Sequence, residues 1–258
     1  MTVASELKID VTERFPHLPH APIVEAVIDI RARAEIPWEE AAVKSQVGAK
    51  LEGYAYLDSQ REYQHELKIE AGKPSEQALR DLGWKGVRFK SADERQICQF
   101  NRDGFVFSRL RPYDSWEQLY GEAMRLWQIY SEMAHPTQVQ RLGLRFINRI
   151  ELPPEEFRYG DYIQPAAEPP KLLDVPLHGF LHHDTLAVPG HPYATNVIRT
   201  IQKEADKPLA IILDIDVFTL KAFELQLEVL TRSLLEMRWL KNKVFFGSIT
   251  GKALEKFK

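Results

Sequence analysis

The chain has 258 residues, a formal net charge of −3, 44% hydrophobic and 28% charged residues, the composition of a folded protein with room for one sizeable core or two small ones. The slight acidic excess excludes the strong basic footprint of a general nucleic-acid binder. A single cysteine, Cys98, excludes an intrachain disulfide and suits a reducing compartment.

Residues 1–20 read as a lead-in punctuated by Pro16 and Pro19, with no apolar core of signal-peptide length. Ile23 to Ala32 alternates, which predicts a strand whose second face carries Glu25, Asp29 and Arg31. Pro37 then introduces a helix expected over Trp38 to Leu51. Tyr63 to Ala71 and Gly86 to Ser91 read as strands. Arg95 to Phe100 and Phe105 to Leu110 flank Asn101-Arg102-Asp103-Gly104, and Asp-Gly between two such runs predicts a hairpin. Ser115 with Gln118 three residues on is a capping pattern. Trp116, Leu119, Ala123, Trp127, Tyr130 and Ala134 follow at helical spacing, up to Pro136.

Gln138 to Pro153 predicts the most distinctive strand. Leu142, Leu144, Phe146, Ile150 and Leu152 share one parity, with Asn148 the exception; Arg141, Arg145 and Arg149 share the other. Pro153 to Tyr162 reads as a short helix or loop, and Pro165 to Pro170 as a loop. Strands are expected over Leu177 to Val188, Ala194 to Glu204 and Leu209 to Leu220. The last is the most apolar run, but Asp214 and Asp216 break it and it is too short to span a bilayer, so no membrane contact is expected and the location is read as cytoplasmic. A long helix is expected over Ala222 to Lys241, with Phe223, Leu227, Leu230, Leu234 and Met237 on one face, and a short one after Thr250.

The segments 21–136 and 137–258 repeat an order of strand, helix, strands and long helix. Ile36-Pro37-Trp38-Glu39-Glu40 echoes Leu152-Pro153-Pro154-Glu155-Glu156. The expectation is an α+β fold: antiparallel sheet with helices packed on one face, built as a diverged tandem repeat whose halves are separate units or one continuous domain. Superposed on that echo, Glu25 falls on Arg141 and Asp29 on Arg145. The arginine face is therefore expected to be neutralised internally, by Glu25 and Asp29 or by Asp214 and Asp216.

Three segments, A-P-I-V-E-A-V-I-D-I-R at Ala21 to Arg31, R-L-G-L-R-F-I-N-R-I-E-L-P at Arg141 to Pro153 and L-D-I-D-V-F at Leu213 to Phe218, resemble a sporadically distributed prokaryotic family of proteins of about this length. The resemblance covers nearly the whole chain, and the arginine strand is its most specific part. It brings no activity with it. The family's patchy distribution implies an accessory role, such as part of a toxin–antitoxin or phage-defence pair.

Seven residues are the ligand-binding candidates: Arg141, Arg145, Arg149, Glu25, Asp29, Asp214 and Asp216. Guanidinium forks suit carboxylates and phosphates. Successive arginines lie about 13 Å apart along a strand, too far for one phosphate to touch two of them. Asp214-Ile215-Asp216 puts two carboxylates on one strand face, which also suits a divalent cation given a third ligand. His178, His182 and Asp184 are weaker metal candidates, since His178 and His182 are also about 13 Å apart if extended. No cofactor is expected. Gly247 to Lys252 resembles a phosphate loop, but its glycines are one residue too close and Ala253 follows the lysine; Thr250 reads as a helix cap instead. Cys98 has no nearby histidine, and the chain carries no His-Glu-x-x-His or Gly-x-Ser-x-Gly motif.

Trp84, Phe89, Phe100, Phe105 and Phe107 interleave with Arg88, Arg95, Arg102 and Arg109 around the hairpin, a mixture that single-stranded nucleic acid can use. The favoured expectation is a non-catalytic binding or interaction module that works with a protein partner or as a homo-oligomer. A ligand-binding protein or enzyme with an arginine and carboxylate pocket is the rival. A nucleic-acid binder using the hairpin ranks third.

Overall fold

The structure is a computed structural model and describes residues 6–36, 38–68, 76–153, 157–168, 172, 175 and 177–258. The strands are β1 (Ile23–Arg31), β2 (Tyr54–Lys68), β3 (Glu76–Ser91), β4 (Gln96–Asn101), β5 (Gly104–Leu110), β6 (Gln138–Val139), β7 (Arg141–Glu151), β8 (Leu181–Ala187), β9 (Tyr193–Gln202), β10 (Ala210–Thr219) and β11 (Phe223–Glu224). The helices are α1 (Glu40–Lys50), α2 (Trp116–Ala134), α3 (Leu227–Ser248) and α4 (Gly251–Glu255). Nine strands make one sheet in the order β2-β3-β4-β5-β1-β7-β10-β9-β8, and its pairings are antiparallel. β6 and β11 pair separately. Strands before residue 137 fill one side of the sheet and later strands the other, joined where Ile28 of β1 lies opposite Leu144 of β7.

Alternation decides which face is covered. Ala26, Ile28, Ile30, Phe105, Phe107, Leu142, Leu144, Phe146, Leu213, Ile215 and Val217 are buried in one cluster. α2 lies on β5, and α3 on β7 and β10; α1 adds Val43, Val47 and Leu51 over β2 and β3. α2 starts where Ser115 Oγ accepts from the Gln118 amide at 3.2 Å, and stops at His135 in the left-handed region, just before Pro136. Its inner face stacks Trp127 on Tyr130 at 5.2 Å and sets Tyr130 against Phe105 at 6.3 Å. The Tyr130 hydroxyl donates to the Ala32 carbonyl at 2.6 Å, tying α2 to the end of β1. At the chain's end, Thr250 Oγ1 accepts from the Ala253 amide at 3.1 Å and so caps α4.

α3, β8, β2 and β3 differ from the sequence expectation. The long helix begins at Leu227, five residues late, because Phe223 and Glu224 pair with Val139 and Gln138. Its buried face is Leu230, Leu234, Met237 and Leu240, while Leu227 is exposed. β8 starts only at Leu181, so His178 precedes it. β2 and β3 are far longer than expected. β3 pairs with β4 only over Gly86 to Lys90, so the stretch from Arg61 to Lys68 with its partner from Glu76 onward is a two-stranded ribbon. Ala71, the expected strand end, and Pro37, Pro154, Glu155 and Glu156 of the echo lie outside the described residues. Among the described residues no helix is long and apolar enough to cross a membrane.

Replacing Tyr130 by Phe removes one hydrogen bond and strands the Ala32 carbonyl under α2. The expected loss is about 1–3 kcal/mol, read by urea denaturation.

Candidate functional site

β7 runs between β1 and β10, so its arginines sit between two rows of carboxylates on the face away from the helices. Arg141 Nη1 donates to Asp29 at 3.1 Å and its Nη2 to Asp216 at 2.9 Å, bridging both neighbouring strands. Gly143 makes room: a Cβ there would sit 2.7 Å from Arg141 Nη1. Arg145 grips Asp214 with a two-point fork, Nε to Oδ1 at 2.8 Å and Nη2 to Oδ2 at 2.5 Å. Arg149 stands apart from this ladder; it is buried and donates to Glu151, to the Pro208 carbonyl at 2.6 Å and to Gln202 at 3.3 Å.

The carboxylates expected to serve these arginines divide. Asp29, Asp214 and Asp216 pair with them, and Asp29 also accepts from Arg31 at 3.4 Å. Glu25 lies opposite Ile147 and acts on Arg145 only through its charge, without an ion pair to the ladder among the described residues. Asp29 is set against Gly143, midway between the two arginines, and pairs with Arg141 and not with Arg145. Burial pushes the Asp29 and Asp216 carboxyls up, against the pull of Arg31 and Arg141 on Asp29 and of Arg141 on Asp216. The Asp214 hydrogen bonds hold the Arg145 guanidinium above its ordinary value.

The other expected sites are dispersed. Asp184 pairs with Arg199, and the His182 ring packs against Phe180 at 5.4 Å. Among the described residues no three His, Cys, Asp or Glu side chains converge as a metal site would require. Cys98 is buried, and desolvation pushes its thiol up to about 12, which suppresses the thiolate. Phe89, Phe100, Phe105 and Phe107 are core residues whose rings solvent does not reach, and base stacking needs a reachable ring. Arg88 pairs with Asp58, and Arg109 with Asp114 at 2.6 Å.

Sequence reasoning missed a cleft of about 440 Å³ on the helix side of the sheet. It lies between the segment from Val11 to Ile23, the turn from Tyr113 to Glu117, the β7 residues Phe146 and Asn148, and α3 from Leu235 to Phe246. Lys241 lines it, with Nζ 4.1 Å from the centre of the Phe146 ring and no carboxylate partner among the described residues. Desolvation, aided by the nearby Arg238 charge, pushes the Lys241 ammonium down to about 7. Arg238 lies over Trp116 at 5.3 Å and reaches Glu117 only at 3.9 Å. Asn148, the odd polar residue of the apolar parity, donates to the Leu213 carbonyl at 2.9 Å and lines the cleft. Two signals were present in the sequence. One was Asn148; the other was Lys241 continuing the apolar stripe of Leu230, Leu234 and Met237.

No family model, curated protein or solved structure matches the chain, so function is argued from its own residues.

Two outcomes follow from the geometry. Arg145→Ala leaves the Asp214 carboxylate inside the sheet face without its fork, and the expected cost is about 1–3 kcal/mol. A double-mutant cycle with Asp214→Ala should return a coupling of about 0.5–3 kcal/mol; additive losses would mean the pair is not coupled. For Lys241, the folded value is about 7 against an ordinary lysine value of 10.5, so the unfolded chain binds more protons between them and stability rises with pH across that window. Denaturation curves at successive pH values should show that rise, and Lys241→Met should flatten it.

Proposed function

We propose that the protein is a non-catalytic binding module of the cytoplasm that works as a homo-oligomer, docking through the ribbon at the far end of β2 and β3. The observation that carries this reading is the ribbon itself. Two-stranded hairpins are marginal in water unless they pack on something. This one extends past the third strand of the sheet and presents Tyr63, Leu79 and Leu82 to solvent. Tyr63 is opposite Asp81 and Leu79 opposite His65, so Tyr63 and Leu79 share a ribbon face as diagonal neighbours.

The contact is made by that face and not by the free edge of β2. Three register shifts, between Tyr56 and Asp58, Gln60 and Arg61, and Glu62 and Tyr63, kink the edge and discourage strand addition. A second copy is the partner because two such patches related by a twofold axis cover each other, Tyr63 on Leu79 and Leu79 on Tyr63. The ribbon's mixed charges, including the Arg61 to Asp81 pair at 2.8 Å, favour a protein surface over a nucleic acid. The arginine ladder is structural in this reading, since its charges are met by Asp29, Asp214 and Asp216.

The module is further read as a diverged repeat. Supporting this, the outward order β1, β5, β4, β3 has a counterpart in β7, β10, β9, β8, and each series is followed or completed by a long helix on the same face, α2 or α3. The single buried cysteine supports a reducing compartment.

Light scattering on the purified chain over a concentration series tests the docking. The wild type should run as a multimer. Tyr63→Asp with Leu79→Asp should weaken association at least about tenfold, and at a dilution where both proteins are monomeric the two should melt alike because both side chains are exposed in the single chain. A wild type that stays monomeric at the highest concentration overturns the reading.

A further inference from the structure

We propose that the cleft between α3 and the turn before α2 is a binding site for a small organic acid, an aromatic or aliphatic body carrying one carboxylate. The carboxylate sits against Lys241 and Arg238, and the body against the partly exposed Tyr113, Leu235 and Phe246.

Volume, charge and lining lead to that class. An open cleft of about 440 Å³ falls in the usual volume range for small-molecule sites, and its exposed lining is more polar than apolar. The apolar part that solvent reaches is Leu18, Tyr113, Leu235 and Phe246; Tyr113 meets the buried Phe146 edge-on at 5.6 Å, and Trp116 and Phe146 form the floor beneath. The charges facing the cleft are unevenly answered. On the N-terminal segment, Glu13 is engaged by Lys243 at 2.8 Å and by Trp239 Nε1 at 2.7 Å, while Arg14 and His17 line the cleft. On the turn, Asp114 is held by Arg109 at 2.6 Å, and Glu117 reaches Arg238 only at 3.9 Å. On α3 that leaves Lys241 with a ring face and no anion among the described residues. Lys241 and Arg238 are three residues apart on one helix, so their cationic ends lie on one face. Two cations over an aromatic floor fit a monocarboxylate with an apolar body.

The choice of acid over neutral ligand also follows from the lysine. Desolvation brings the Lys241 ammonium down to about 7 in the free protein. A carboxylate arriving beside it restores the charged form, so binding is coupled to proton uptake above that pH. A neutral ligand can accept a hydrogen bond from the same lysine but gains no charge attraction from it. The site uses no residue of the ribbon and stands or falls independently of the oligomer.

Isothermal titration calorimetry on the full chain tests the site with phenylacetate and indole-3-propionate, each against its primary amide, and with inorganic phosphate. At least one acid should bind, and its amide about tenfold or more weaker. Lys241→Gln should lower affinity for the acid about tenfold and leave the amide unchanged. Circular dichroism and melting should show that this variant folds. Above about pH 7 the affinity for the acid should fall by up to about tenfold per pH unit in the wild type and stay flat in Lys241→Gln. Absence of binding by both acids, equal binding of acid and amide, an unchanged Lys241→Gln, or binding of phosphate alone each overturns the proposal.

Discussion

Between β1 and β7 the backbone ladder joins two sets of strands that would otherwise each end in an unpaired apolar strand. Ile28 and Leu144 face each other there, with Ile30 opposite Leu142 and Ala26 opposite Phe146, all buried beneath the helices. Register at this join is fixed by burial: a slip of one residue would turn Ile28 and Ile30 to the open face and Asp29 into the core. The remaining strands extend outward from this pair, and the helices cover the face that the pair makes apolar.

The same register determines the fate of the charges. Alternation sends Arg141 and Arg145 to the open face together with Asp29 on β1 and Asp214 and Asp216 on β10. A strand of cations between two strands of anions neutralises itself, and Gly143 leaves the space for one guanidinium to reach both sides. The three arginines are not equivalent. Arg141 and Arg145 belong to the ladder, whereas Arg149 is buried near the C-terminal end of β7 among Glu151, Gln202 and the Pro208 carbonyl.

Where one physical rule acted alone, the sequence was legible. The arginine strand, the Asp103-Gly104 hairpin and the caps at Ser115 and Thr250 each rest on local chemistry, and each is found. The ribbon was not legible over its full length, because a strand pair exposed on both faces carries no apolar alternation. The start of α3 was displaced because Phe223 has a helical spacing but a better partner in Val139, a contact across the chain that periodicity does not register. The pairing of Asp214 with Arg145 was among the options and the register chose it, while Glu25 was left without a partner in the ladder. The cleft was invisible as a unit, since it draws on four stretches of chain far apart in sequence.

If the β1–β7 join is the constraint on which the sheet depends, the halves on either side of it unfold together. Native-state hydrogen exchange measures this residue by residue. Amides of Ile28 and Ile30 in β1, Leu144 and Phe146 in β7 and Ile215 in β10 should exchange only through global unfolding, with one common free energy. The ribbon around Tyr63 to Glu66 should exchange far faster. Two distinct opening free energies, one for strands before residue 137 and one for strands after it, would contradict the account.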